Sequence, residues 1–246
     1  MPAGAIAANH LTSQVIPVGT LTSHEREEMW HLFRRFYDGT VRSLFETDLS
    51  EKDTLLLLRD SDARIQGFST IAVGQTELHD QPIRYVFSGD TIVDRAHWGS
   101  QALAFAWLRY VGELKRQHAE VPLYWFLIVK GHRTFRYLPA FAREFYPHWN
   151  NDTPDAMAAL MTKLARERFG DAFDPVSGVI RYSQSHGYLA GPVADANPRE
   201  AEREDVSFFL RRNSGYRRGD ELVCLCELST GNLRPLARRL FDGAAL

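Results

Sequence analysis

Ile83-Arg84-Tyr85-Val86-Phe87-Ser88-Gly89-Asp90-Thr91-Ile92-Val93 is the stretch on which the fold turns. Its β-branched and aromatic residues suit a pleated, half-buried surface, so it reads as a strand. Residues 54–58 and 65–73 have the same character, and Asp60-Ser61-Asp62 and His79-Asp80-Gln81-Pro82 supply turns between the three. That order predicts an antiparallel meander. From Ser100 onward the apolar residues Leu103, Ala106, Trp107, Tyr110, Val111 and Leu114 recur at three and four, which is helical. Leu123–Val129 then runs apolar without a break, as a strand covered on both faces should. Strand, helix and strand in that order require a crossover, which makes the two strands parallel neighbours. The predicted class is α/β: a mixed, mostly antiparallel sheet with a central parallel strand pair, flanked by helices.

Working outward, residues 15–18 suggest a short strand, and Thr22-Ser23-His24-Glu25 offers a capping box to a first helix that Gly39 can split in two. Past the parallel strand, a helix is expected from about Thr134, with Phe135, Leu138, Phe141 and Phe145 inward and Pro139 near its first turn. Another is expected with Pro154 at its first position and Thr153 as cap, ending at Gly170. Residues 178–182 and 221–228 read as strands, and the charged segment 197–205 reads as a mobile loop. The whole is expected to form a single domain: 1–14 a flexible tail, 15–146 the core, 147–246 a C-terminal elaboration.

The 246 residues are 44% apolar and 24% charged, ordinary values for a globular protein. A net charge of −2 gives no global attraction to nucleic acid or anionic lipid. No apolar run reaches the ~20 residues of a membrane helix. The first fourteen residues have neither a basic leader nor an uninterrupted apolar core, so a cytoplasmic location is expected. Cys224 and Cys226 stand two apart, which in a strand puts both on one face as buried, reduced thiols, and no metal site is expected from them.

The order helix, meander, strand, helix, strand, helix resembles the Gcn5-related acyltransferases over about residues 15–146, and more loosely the acyl-homoserine-lactone and long-chain N-acyl amino acid synthases. In that family a strand ending near a valine, here Ile92-Val93, enters a loop whose amides hold the pyrophosphate of coenzyme A at a helix N-terminus. Here that loop is Asp94-Arg95-Ala96-His97-Trp98-Gly99-Ser100-Gln101-Ala102. With Gly99 as the first glycine of the family pattern, Ala96 stands where Arg or Gln is usual and Gln101 where the second small residue is usual. The resemblance implies that Val93, Gly99, Ser100, Gln101 and Lys130 contact the donor, Lys130 occupying a position often held by Asn. Seven residues on, Tyr137 matches the tyrosine that protonates the departing thiolate.

Asp90, a carboxylate inside an otherwise apolar strand, is the candidate general base, because burial raises a carboxyl pKa into a useful range. It could equally cap a turn after Gly89, as Tyr137 could be a core residue and Gly99 a simple turn glycine. His97 and His132 are alternative bases. Ten aromatics from Phe105 to Trp149 are core by spacing, with any surplus available to line an acyl tunnel. Lys130, His132, Arg133, Arg136 and Arg143 are expected near the cleft exit, where they could steer an acidic acyl-carrier protein.

The resemblance therefore implies transfer of an acyl group from a phosphopantetheine thioester, on coenzyme A or carrier protein, to a small-molecule primary amine without a metal. The alternatives are a non-catalytic binding module, or a nucleic-acid binder resting on the arginines of 211–218 and Tyr216.

Overall fold

In the computed structural model, which describes residues 11–244, eight strands form one sheet in the order β1-β3-β4-β5-β6-β10-β8-β7. The chain enters through β1 (Thr12–Pro17), paired antiparallel with β3 (Thr54–Arg59). Part of the expected tail is thus sheet; residues 1–10 lie outside the described residues. Between these strands come α1 (Ser23–Phe33), β2 (Tyr37–Asp38) and α2 (Arg42–Ser50). The Thr22–Glu25 capping box forms as expected, and Gly39, at φ +67°, makes the turn between the helices.

The meander continues through β4 (Ile65–Leu78) and β5 (Gln81–Val93), both longer than the sequence suggested. His79 and Asp80 both have positive φ, the two-residue hairpin geometry whose twist matches that of the strands. Helix α3 (Ala102–Gln117) carries the chain across to β6 (Leu123–Val129), which pairs parallel with β5.

The next helix is the first departure. It breaks into α4 (His132–Phe135) and α5 (Tyr137–Phe141), after which the chain is extended and Phe145 reaches the core from outside any helix. Pro139 accounts for the break: it has no N–H for the Phe135 carbonyl, and its ring crowds that carbonyl. Helix α6 (Asp155–Phe169) starts one residue later than expected, with Pro154 rather than Thr153 at the cap.

Short strands β7 (Phe173–Asp174), β8 (Val179–Ile180) and β9 (Tyr188–Leu189) follow, and β9 pairs with β2 outside the main sheet. Then come α7 (Gly191–Ala194), α8 (Pro198–Ala201) and α9 (Glu204–Arg212). The expected mobile loop at 197–205 is therefore helical. Asn197 and Glu200 cap each other and Pro198 sits in the first turn, a signature hidden among charges. The chain closes with β10 (Glu221–Glu227), which pairs antiparallel with β6, and α10 (Pro235–Phe241).

The core lies in two layers on the sheet. On one face α3 and α10 cover Leu56, Leu58, Val86, Trp125, Cys224 and Cys226. Both cysteines are buried free thiols on that face. On the other, α1 and α2 cover Leu55, Leu57 and Phe68, while α6 covers Phe87, Phe126 and Leu225. Leu55–Leu58 are wholly buried on both faces, each contributing roughly 1.5–3 kcal/mol of transfer free energy. No described helix is long and apolar enough to cross a membrane.

Candidate functional site

Two irregularities in the middle of the sheet open a cleft. Strands β5 and β6 pair only from Arg84/Leu123 to Ser88/Leu127; beyond that they diverge. At the same level the β4–β5 register slips: Ser69 faces Thr91 but Ile71 faces Ser88, so Thr70 alone opposes Gly89 and Asp90. This is a β-bulge, which adds a residue and re-aims the side chains after it.

The bulge changes which face each later residue joins. Val86 packs under α3, whereas Ile92, six residues on and expected on the same face, packs with α1 and α2. Asp90 is thereby turned away from the Ser88 side toward the cleft. Ser88 stays behind and accepts hydrogen bonds from two buried indoles, Trp107 Nε1 at 3.2 Å and Trp125 Nε1 at 3.0 Å.

The cleft is a cavity of about 950 Å³. Asp90, Val93, Gly99, Ser100, Gln101, Lys130 and Tyr137 all line it. His97 lines it as well. His132 does not: it is buried at the first position of α4, and burial pushes its imidazole pKa down.

Charges surround Asp90: Asp48, Lys130 and Glu221 in the cavity wall and Lys52 behind it. Lys52, whose side chain is wholly buried, pairs with Asp48 at 2.7 Å and donates to the Asp48 carbonyl at 2.8 Å. Lys130 pairs with Glu221 at 3.4 Å and donates to the His186 carbonyl at 3.3 Å. Among the described residues, no hydrogen bond or ion pair ends on the Asp90 carboxylate. Desolvation, reinforced by Asp48 and Glu221 and opposed by Lys130 and Lys52, pushes its pKa up to about 7. Burial likewise raises the Tyr137 phenol and keeps it protonated.

The loop after β5 is ordered by its own side chains. Asp94 caps it by accepting from Ala96 N at 2.9 Å and is held by Arg35 at 2.5 Å. Gly99 has φ +97°, which any other residue adopts only with strain. The Ser100 amide is committed to the His97 carbonyl at 3.0 Å. Among the described residues the amides of Gly99, Gln101, Leu103 and Ala104 have no partner, leaving unpaired donors at the positive end of a sixteen-residue helix.

The five cations expected at the cleft exit do not form a single patch. Lys130 turns inward, His132 is enclosed, and Arg143 holds the Gly231 and Leu233 carbonyls at 2.7 and 3.0 Å. Arg133 and Arg136 do line the cavity, together with Arg203, which sequence reading missed. Arg133 lies 5.0 Å over the Trp98 ring and 3.7 Å from Glu200; Arg136 and Arg203 both reach Asp205.

None of the ten aromatics considered for an acyl tunnel lines the large cavity; they pack into the core layers. Trp107, Trp125 and Phe141, with Tyr137, instead border a second space of about 40 Å³ between the diverging strands. The cavity's own aromatic wall is drawn from other rings, among them Phe33, Tyr37, Phe87, Trp98, Phe169 and Tyr182. Among the described residues no group of His, Cys, Asp or Glu is arranged to hold a metal ion.

No protein-family model matches the chain, and no curated protein does. Solved structures do. The chain is similar to the GNAT acetyltransferases. Escherichia coli YhbS, a GNAT family N-acetyltransferase solved with CoA, matches with TM-score 0.40 and 13% identity over 56% of this chain and 72% of its own. A Trypanosoma brucei acetyltransferase matches with TM-score 0.39 and 14% identity over 59% of this chain and 99% of its own. A probable N-acyltransferase from Enterococcus faecalis V583 matches with TM-score 0.39 and 17% identity over 55% of this chain and 33% of its own.

Proposed function

We propose that this protein is an N-acyltransferase that moves an acyl group from a phosphopantetheine thioester to a primary amine of a small molecule. The observation that carries the reading is the bulge at Gly89–Asp90, which brings a desolvated carboxylate without a partner into the same cavity as a protonated phenol, where β5 and β6 part.

In this reading the thioester lies in the gap between the strands. The amine nitrogen attacks the thioester carbonyl, forming the C–N bond, and its proton passes to Asp90 directly or through water. The C–S bond then breaks, and the departing thiolate takes the Tyr137 proton, leaving amide and free thiol. A base with pKa about 7 suits the first step near neutral pH. The unpaired amides from Gly99 to Ala104 favour the donor's phosphate, supplemented by Arg133 and Arg136. Coenzyme A or a carrier-bound arm would serve, since both present phosphate there. The 40 Å³ space beside Tyr137 fits a short acyl group better than a long one.

The test is thiol release from acyl thioesters in the presence of an amine panel, comparing the parent with Asp90→Asn and Tyr137→Phe. Turnover lost in both variants, with donor binding kept, supports the reading; unchanged turnover in both overturns it. A non-catalytic binding module would release no thiol in any form.

A further inference from the structure

Asp90 senses four other charged groups: Asp48, Lys130, Lys52 and Glu221. Two of these are cations, and each already has its own acid, Asp48 for Lys52 and Glu221 for Lys130. Arg168, which also lines the cavity, pairs with Glu51 at 3.2 Å and lies 4.0 Å over the Phe87 ring. With all groups ionised, Asp48, Asp90 and Glu221 face Lys52 and Lys130: three negative charges against two positive. The unmatched charge is that of Asp90.

A desolvated site with one carboxylate in surplus favours an occupant that restores neutrality. The neighbouring walls include Tyr37, Phe87 and Tyr182; Lys130, Arg168 and His186 already lie on these rings, so what they offer an occupant is apolar surface. A zwitterion would bring a further carboxylate beside Asp48 and Glu221, where Lys52 and Lys130 are both already paired. A dication would leave a positive charge unpaired.

Resting on the acyl-transfer reading, we infer that the acceptor is a monocationic primary amine carrying no carboxylate, its ammonium on Asp90 and its apolar body against Tyr37, Phe87 and Tyr182. Amino acids are thus poor acceptors, and decarboxylated amines are good ones. The pairing also readies the reaction: the ammonium passes one proton through Asp90 to solvent water, which leaves the carboxylate ionised again to take the second proton as the amine attacks.

The test is calorimetric titration at pH 8, without any acyl donor, using butylamine, phenethylamine, phenylalanine and 1,4-diaminobutane. Phenethylamine is expected to bind at least about 10-fold more tightly than phenylalanine and more tightly than the diamine. Asp90→Asn, nearly isosteric, should lose at least about 10-fold of monoamine affinity. Lys130→Met, which leaves the site with two surplus negative charges, should shift preference toward 1,4-diaminobutane. Phenylalanine binding as tightly as phenethylamine, no effect of Asp90→Asn, or no binding by either monoamine overturns the inference. Because no donor is present, the two readings fail separately. A chain that binds monoamines but never acylates them sinks acyl transfer, whereas one that acylates amino acids sinks the charge assignment.

Discussion

Lys52 lies across Gly89. A methyl group on Gly89 would fall 2.7 Å from Lys52 Cε and 2.5 Å from Thr70 Oγ1, so the bulge that aims Asp90 closes against a buried lysine and leaves no room for a side chain. Gly89→Ala must push Lys52 or β4 aside, and overpacking of that kind typically costs about 1–3 kcal/mol. Urea denaturation should show a lower midpoint with an unchanged slope.

Asp90 makes stability depend on pH in a stated direction. Its folded pKa, about 7, lies above the ordinary carboxylate value, so folding favours its protonated form. Below about pH 4 it is protonated folded and unfolded, and Asp90→Asn should not alter stability. As pH rises from about 4 to 7 the unfolded carboxyl ionises in water while the folded one is held neutral, so stability is lost across that window and the loss is complete above it. Above pH 8 the Asn variant should therefore be the more stable, by about 1 kcal/mol or more. Denaturation curves at pH 4 and pH 8.5 check this; a gap that shrinks with rising pH would contradict it.

The same titration governs the rate. If Asp90 accepts the acceptor's proton, kcat/KM rises with pH through an apparent pKa near 7, set jointly with Asp48, Lys52, Lys130 and Glu221. Asp90→Asn should remove that limb along with most of the activity. A variant that titrates like the parent moves the base elsewhere, with His97 the next candidate in the cavity.

Tyr137→Phe should leave the fold intact, since its ring packing against Phe141 is kept, and lower kcat by about 10²-fold, the scale for losing a positioned acid. Donors with better thiol leaving groups should narrow the deficit, because they need less protonation. An equal deficit for every leaving group would assign Tyr137 to positioning alone.

How far the sequence is legible follows from what each residue depends on. Alternation and turn chemistry around Ile83–Val93 are local, and the meander, crossover and parallel pair follow from them. Asp90 stands out as a charge in an apolar strand, and Tyr137 only through the resemblance to the acyltransferase pattern. What local pattern could not give is the bulge, because the extra residue of Gly89–Asp90 is defined only against Thr70 in another strand. Glu221 and Lys52 likewise gain meaning only when β10 and the turn after α2 come up to Asp90. The helix at 198–201 was different: its Asn197/Glu200 capping box is local, and the surrounding charges obscured it.

The central claim is that the cleft holds a phosphopantetheine thioester, and ligand-induced stabilisation tests it most directly. A non-transferable acyl-coenzyme A thioether and the same arm on an acyl-carrier protein would each be titrated against the parent and Gly99→Val. Valine cannot comfortably adopt the φ of +97° that shapes the loop. At 100 times Kd a bound donor stabilises by about 2.7 kcal/mol, which for a chain of this size raises Tm by about 5 °C or more. The account predicts that rise in the parent with at least one of the two donors, and little or none in Gly99→Val. A parent Tm unmoved by both would contradict it.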